Sequence, residues 1–179
     1  MFQKRRKYRF NKGQFYIDVS VLLLAYFALE AYINYVCKIV DPQKWKNEKD
    51  EFSKGKFRGT EGKYDYIVEK CGLPKLKKGE RPYQSIKKVK KIRDYFTHGK
   101  LIDFKYKKIH KDGREPDIFH RPLDDLITSE KADMYFNDIQ KFIIEFHENL
   151  KKSKFGDKLS SHPFKGPTSI SSNSTKIKT

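Results

Sequence analysis

Residues 86–100 of the chain read IKKVKKIRDYFTHGK, and the spacing of their apolar side chains predicts a helix. Steps of three and four residues put four apolar side chains on one face: Ile86, Val89, Ile92 and Phe96. Arg93 falls within that face, although an arginine is rarely buried unless another group pairs with it. Gly99 predicts that the helix ends near residue 97, where a turn can bring His98 beside Arg93. A permanent cation then lies next to an imidazole, the side chain most often used for proton transfer.

This motif, RDYFTHG from Arg93 to Gly99, resembles the signature of the HEPN superfamily (higher eukaryotes and prokaryotes nucleotide-binding). That signature is an arginine, a short spacer and a histidine at the end of a helix, with glycine commonly next. Asparagine most often follows the arginine, whereas this chain has Asp94. A second stretch, ALEAYIN at residues 28–34, looks like the first long helix of such domains.

The resemblance implies an all-helical fold and a homodimer in which two Arg-His motifs face each other across a two-fold axis. It also implies metal-independent RNA cleavage to 2′,3′-cyclic phosphate and 5′-hydroxyl ends, without a cofactor. Such proteins are typically toxins or antiviral defence effectors, so we expect a cytoplasmic endoribonuclease that an antitoxin or another regulatory protein can control. A catalytically silent HEPN module that binds RNA, nucleotide or a protein partner is the alternative, and an unrelated basic helical protein is the third possibility.

The residue types of the motif suit RNA cleavage, because RNA carries its own nucleophile in the 2′-hydroxyl. His98 can transfer protons, and the planar donors of Arg93 can match phosphate oxygens. These two are the candidate catalytic residues, with Asp94 and Thr97 in supporting positions. The competing interpretation is a buried arginine satisfied by helix carbonyls, with His98 as a C-terminal cap.

Two further supporting candidates, Glu30 and Asn34, are four residues apart on the first helix and therefore share a face. Either Glu30 orients Arg93 or His98, or the two residues are a polar pair at a helix surface or interface.

Positive charge surrounds the motif, in a chain whose formal net charge is +17. Residues 75–91 hold eight basic residues and one acidic residue, and residues 1–12 hold six basic residues and no acidic one. The lysines next to the motif are candidates for RNA phosphate binding: Lys87, Lys88, Lys90, Lys91 and Lys100. A track for a phosphodiester and an ordinary solvated helix face both fit this run.

Apolar stripes of helical period predict an all-α antiparallel bundle whose main helices are residues 15–40, 86–96 and 132–150. The first helix is apolar almost all round and should be central to the core, and Asp41-Pro42 should end it. We expect a loop with one helical turn at 41–63, a short helix at 64–71, and a small β-hairpin around Asp112-Gly113. The predicted organisation is a basic arm at 1–12, a helical domain at 13–151 and a disordered basic tail at 152–179.

Other chemistries find little support in the sequence. There is no Walker loop, GxGxxG or HExxH motif, and we expect no metal site, although His110 and His120 flank the hairpin turn. Cys37 and Cys71 lie among apolar neighbours and look like neither nucleophiles nor a disulfide framework. His147 and His162 look like surface residues. The apolar run at 19–29 is too short to span a bilayer, so we expect no membrane segment.

Overall fold

The computed structural model describes residues 12–98, 123 and 126–164, and every regular element in these residues is helical. This confirms the all-α prediction. The helices are α1 (Lys12–Val40), α2 (Pro42–Lys46), α3 (Glu48–Glu51), α4 (Gly59–Cys71), α5 (Tyr83–Thr97) and α6 (Ser129–Lys151), followed by a short 3₁₀ helix (Gly156–Lys158). The predicted hairpin and Lys100 lie outside the described residues, and the HEPN-like arrangement of the bundle stays a prediction.

The chain divides into two compact units, and the boundary between them falls within α1, after Ala28, and within α6, after Gln140. Of the described residues, the first unit comprises 12–28, 77–98, 123 and 126–140, and it contains α5. The second comprises residues 29–76 and 141–164, and it contains α2, α3 and α4. The Arg-His motif therefore belongs to the first unit, and Glu30 and Asn34 belong to the second.

Polar contacts join the three helices of the first unit in pairs. On α6, Asp138 is buried and accepts two hydrogen bonds from the Arg81 guanidinium, each 2.7 Å long, and one from the Ser85 hydroxyl on α5. Asp18 of α1 is also buried, and it accepts a hydrogen bond of 2.9 Å from Ser129 at the start of α6. Because a buried carboxylate needs such donors, these contacts fix which helix faces meet.

The apolar stripe of α1 is buried as the sequence predicts. Its members are all at most 6% exposed: Phe15, Val19, Leu22, Tyr26, Leu29, Ile33, Val36 and Val40. The expectation that this helix is central to the core is wrong for its outward face, where Leu24 is 67% and Phe27 42% exposed. By length and composition Gly13–Val40 could cross a bilayer, a test that buried core helices also pass.

Two predicted core positions are solvent-exposed instead. Phe96 is 40% exposed because α5 continues one turn beyond Ile92, the last buried residue of its stripe. Phe136, which the apolar stripe of the predicted 132–150 helix includes, is also 40% exposed. Its neighbour Tyr135 takes the buried position, and adjacent residues of a helix point about 100° apart.

The predicted loop at 41–63 is largely helical. Asp41 ends α1 and also caps α2, because its carboxylate accepts a hydrogen bond from the Lys44 amide at 3.0 Å, with Pro42 in the first turn. Helix α4 begins at Gly59 and not at residue 64. A side chain at Gly62 would come within 2.0 Å of the Phe57 backbone, so this glycine permits a close approach between the chain and the helix.

A buried lysine organises the second unit. Lys63 of α4 is 7% exposed, and its ammonium donates to Asn34 of α1 at 2.8 Å and to Glu48 of α3. The same ammonium lies 5.4 Å from the Trp45 ring and 5.7 Å from the Phe52 ring. Paired charge and aromatic faces together offset the desolvation of this cation.

The prediction that the tail is disordered from residue 152 is wrong for its first part. Residues 152–164 are described, with Gly156 and Leu159 buried and Leu159 only 6% exposed. The backbone carbonyl of Ser160 lies 3.2 Å from Nε2 of His147, and the Ser160 amide donates to the Tyr35 hydroxyl. A buried leucine and several hydrogen bonds, among them these two, thus hold a segment whose composition looked unable to fold.

His147 is the clearest error of the sequence analysis, which placed it on the surface. It is fully buried on α6, and Nδ1 lies 3.0 Å from the Tyr32 hydroxyl of α1. A signal was present, because His147 is four residues after Ile143 and three before Leu150, both of which are buried.

Burial of His147 predicts a loss of stability in mild acid. Burial lowers its pKa below the ordinary 6.5, so the folded chain keeps the imidazole neutral where the unfolded chain binds a proton. Stability present above pH 6.5 is then lost as the pH falls towards the folded pKa, by at most about 1.5 kcal/mol at pH 5.5. Urea unfolding of the parent at pH 7.5 and 5.5 measures this loss. If a His147→Gln variant lost as much free energy of unfolding between pH 7.5 and 5.5 as the parent, His147 would not be the cause of the loss.

Candidate functional site

Helix α5 ends where the motif predicts, with His98 as its C-cap residue. The backbone N–H of His98 donates to the carbonyl of Asp94 at 3.2 Å, and the hydroxyl of Thr97 donates to the carbonyl of Arg93 at 3.0 Å. These bonds close the last turn of the helix. His98 is exposed there, so its imidazole is accessible to solvent.

Arg93 lies one turn earlier and is half-buried. Its Nη1 donates to Oδ1 of Asp94 at 2.9 Å, and its guanidinium carbon lies 5.8 Å from the Tyr26 ring of α1. Arg93 therefore has the pairing that an arginine on an apolar helix face needs, here from an anion and an aromatic ring. The Arg93 side chain is 26% exposed, so solvent can still reach it.

Asp94 is held between two cations. Partial burial raises its pKa, but hydrogen bonds from Lys90 and Arg93 bring the pKa below the ordinary value for an aspartate. The carboxylate is therefore ionised at neutral pH, and it occupies one side of the Arg93 guanidinium. An asparagine, which is usual at this position of the motif, would carry no such charge.

The lysines of α5 line its exposed side. Lys87, Lys88, Lys90 and Lys91 are all exposed, as predicted from their position away from the apolar stripe. Lys90 pairs with Asp94, and the ammonium of Lys88 lies 5.7 Å from the Tyr135 ring. Because exposed lysines attract phosphate without selecting a sequence, this side of α5 can bind the backbone of a nucleic acid.

Glu30 and Asn34 have side-chain partners on α4. Glu30 accepts a hydrogen bond of 2.8 Å from the Thr60 hydroxyl, and Asn34 accepts the one from Lys63. These contacts match a polar pair at a helix interface. The orienting role of Glu30 towards Arg93 or His98 stays a prediction.

Neither cysteine is activated as a nucleophile. Cys37 is buried, and burial raises the pKa of its thiol to about 11. Cys71 is half-buried, and burial raises its pKa as well. Both thiols therefore stay protonated at neutral pH. In residues 12–98, 123 and 126–164, no group of three or more His, Cys, Asp or Glu side chains could hold a metal ion.

Comparisons with protein families, with curated proteins and with solved structures give no match to this chain. The HEPN resemblance therefore depends on the motif and on residues 28–34 alone.

Proposed function

We propose that this protein is a metal-independent endoribonuclease with Arg93 and His98 as its catalytic residues. The observation that carries the proposal is the end of α5, where an exposed His98 follows a half-buried Arg93 on a helix that exposes four lysines. In this proposal the lysines and Lys100 attract the phosphate backbone, and the motif acts on one phosphodiester. By resemblance, the cellular role is that of a cytoplasmic toxin or antiviral effector.

The chemistry follows from the two side chains. Neutral imidazole of His98 takes the proton from a 2′-hydroxyl, whose oxygen attacks the adjacent phosphorus. The Arg93 guanidinium stabilises the added negative charge on the phosphate oxygens. The 5′-oxygen leaves with a proton from a second acid, and the products are a 2′,3′-cyclic phosphate and a 5′-hydroxyl. One histidine cannot easily serve both proton transfers in one step, so a homodimer that brings two motifs together is part of the proposal.

Cleavage of labelled single-stranded RNA in excess EDTA tests this function. We expect fragments whose cyclic phosphate ends resist phosphatase until acid opens the ring, and an unchanged rate when magnesium is added. Tight RNA binding without cleavage, or cleavage that returns only with a divalent metal, would contradict the proposal.

The ion pair between Arg93 and Asp94 favours the second candidate, a silent module that binds RNA, nucleotide or a protein partner. A carboxylate at 2.9 Å already occupies Arg93 and competes with phosphate for it. In an enzyme, the substrate must displace or share this contact.

Asp94→Asn separates the two candidates. If Asp94 silences the site, the variant should cut RNA where the parent does not, because the substitution removes the carboxylate charge that competes with phosphate for the guanidinium. If the parent is already active, the variant should bind RNA more tightly and cut it at a similar rate. Asp133→Asn is the matched control, since Asp133 is exposed on α6 and the substitution makes the same change in charge. A response of this control equal to that of Asp94→Asn would assign the effect to net charge alone.

A further inference from the structure

The outward face of α1 exposes a patch of large apolar side chains in the first unit. Its members are Tyr16 at 60%, Ile17 at 57%, Val21 at 36%, Leu24 at 67% and Phe27 at 42% exposed. At the 150–250 Å² that a large side chain presents, together they expose roughly 500 Å². Patches of this size on a soluble protein commonly mark an interaction site.

The patch is uncharged. Asp18 and Glu30, the only ionisable acidic side chains between residues 13 and 37, lie away from it, buried and half-buried respectively. Every exposed residue of α1 from Gln14 to Tyr35 lacks charge. Tyr26, which lies against Arg93, belongs to the buried side of the helix, so the patch and the motif contact occupy different sides of α1.

The spacing of the patch is that of a helix-to-helix seam. Ile17, Val21, Leu24 and Ala28 are exposed at steps of four, three and four residues. This is the alternation of a coiled-coil heptad, which keeps one apolar line facing a second helix. Ala28 is small and allows two helix axes to come close together. The occupant that fits such a seam is another long helix with the same spacing.

Among the segments of this chain, α1 itself is the one that matches. By composition alone, the segment at 99–122 has two glycines and two prolines, Gly99, Gly113, Pro116 and Pro122, and such a composition does not predict a long helix. The segment at 165–179 has only two large apolar residues, Ile170 and Ile177, and the segment at 1–11 is strongly basic. Two such patches facing each other bury roughly 1,000 Å² in total, which is the lower size limit of a specific interface.

We propose that the outward face of α1 is a self-association interface, on which a second copy of this chain places its own α1. A two-fold axis brings the same seam residues of both copies together, so the contact is self-complementary. The interface is separate from the Arg-His motif, so together with the motif-to-motif contact of the proposed function it would assemble a tetramer, and without that contact a dimer.

Leu24→Glu tests this interface. Leu24 is the most exposed large apolar residue of the patch, and glutamate is a good helix former, so the variant should fold, and its melting temperature should fall only by what the association contributes. Two glutamates that face each other across the seam should break the contact. We expect light scattering at tens of micromolar to give half the molecular mass of the parent. Gln140→Glu, at an exposed position of α6 with the same change in charge, should keep the mass of the parent.

Equal masses for the parent and Leu24→Glu would overturn the proposal, and two accompanying measurements then identify what covers the face. Flotation of the parent, but not of the variant, with phosphatidylcholine–phosphatidylserine vesicles would assign it to a lipid surface. A clearly lower melting temperature of the variant at unchanged mass would assign it to another segment of the same chain. A melting temperature that falls together with the mass would support the dimer only if Ile17→Glu also halves the mass.

Discussion

Replacing His98 with alanine is expected to lower RNA cleavage by roughly 10²–10⁴-fold, because the reaction then lacks its proton-transfer group. RNA binding should stay close to that of the parent, since the exposed lysines supply most of the phosphate attraction. Single-turnover cleavage at saturating RNA measures the first effect, and filter binding at fixed salt measures the second. His162→Ala is the matched control, because it removes a histidine outside the motif.

Arg93 should respond differently from His98. Arg93→Ala is expected to reduce cleavage by roughly 10²–10³-fold through loss of charge stabilisation. Arg93→Lys should not restore activity, because an ammonium lacks the planar pair of donors that matches two phosphate oxygens. Undiminished cleavage by His98→Ala would locate the chemistry elsewhere or reveal a contaminating nuclease. Full activity of Arg93→Lys would mean that a point charge is sufficient.

Asp138→Ala is expected to destabilise the fold by about 2–4 kcal/mol. The substitution removes the two-pronged contact with Arg81 and leaves the buried Ser85 hydroxyl without its acceptor. Arg81 is itself largely exposed and can return to water, which keeps the cost below that of a fully buried pair. The melting temperature should fall by about 2–4 °C for each kcal/mol at this chain length.

Two further variants serve as comparisons for the stability loss of Asp138→Ala. Asp138→Asn keeps the shape and one acceptor oxygen, so its loss should be intermediate. Asp133→Ala removes an exposed carboxylate from the same helix and should change stability by less than about 0.5 kcal/mol. If Asp138→Ala were no more destabilising than Asp133→Ala, the carboxylate would not join α5 to α6 in solution.

Apolar periodicity was sufficient to predict the long helices of this fold. The buried stripe of α1 agrees with the prediction from apolar spacing, and the end of α5 at residue 97 agrees with the prediction from a glycine stop signal. Both signals are local in the sequence. The spacing of apolar residues does not show how many of them around the helix are buried. Leu24 and Phe96 are as apolar as their buried neighbours, and only the presence of another element decides which of them is covered.

The remaining errors arise from contacts between distant parts of the chain. Asp41 both stops α1 and starts α2, which a stop signal followed by polar residues does not distinguish from a loop. His147 is buried because Ser160 and Tyr32 bond to its two ring nitrogens, and neither residue is its neighbour in sequence. At the candidate site, the sequence identified Arg93 and His98 but could not show that Asp94 pairs with Arg93 rather than turning to solvent.

The burial of Lys63 means that its rate of chemical modification can measure local unfolding in the second unit. Among the lysines that the structure describes, it is the one that is buried, and its amine is held by Glu48 and Asn34. An amine-acylating reagent attacks a free, deprotonated amine, so exposed lysines such as Lys54 should be modified within the first minutes. Lys63 can react only when α4 separates from its partners. Its acylation rate, followed by peptide mass spectrometry, therefore reports how often this local unfolding occurs. A single native lysine thus reports local unfolding without any introduced label.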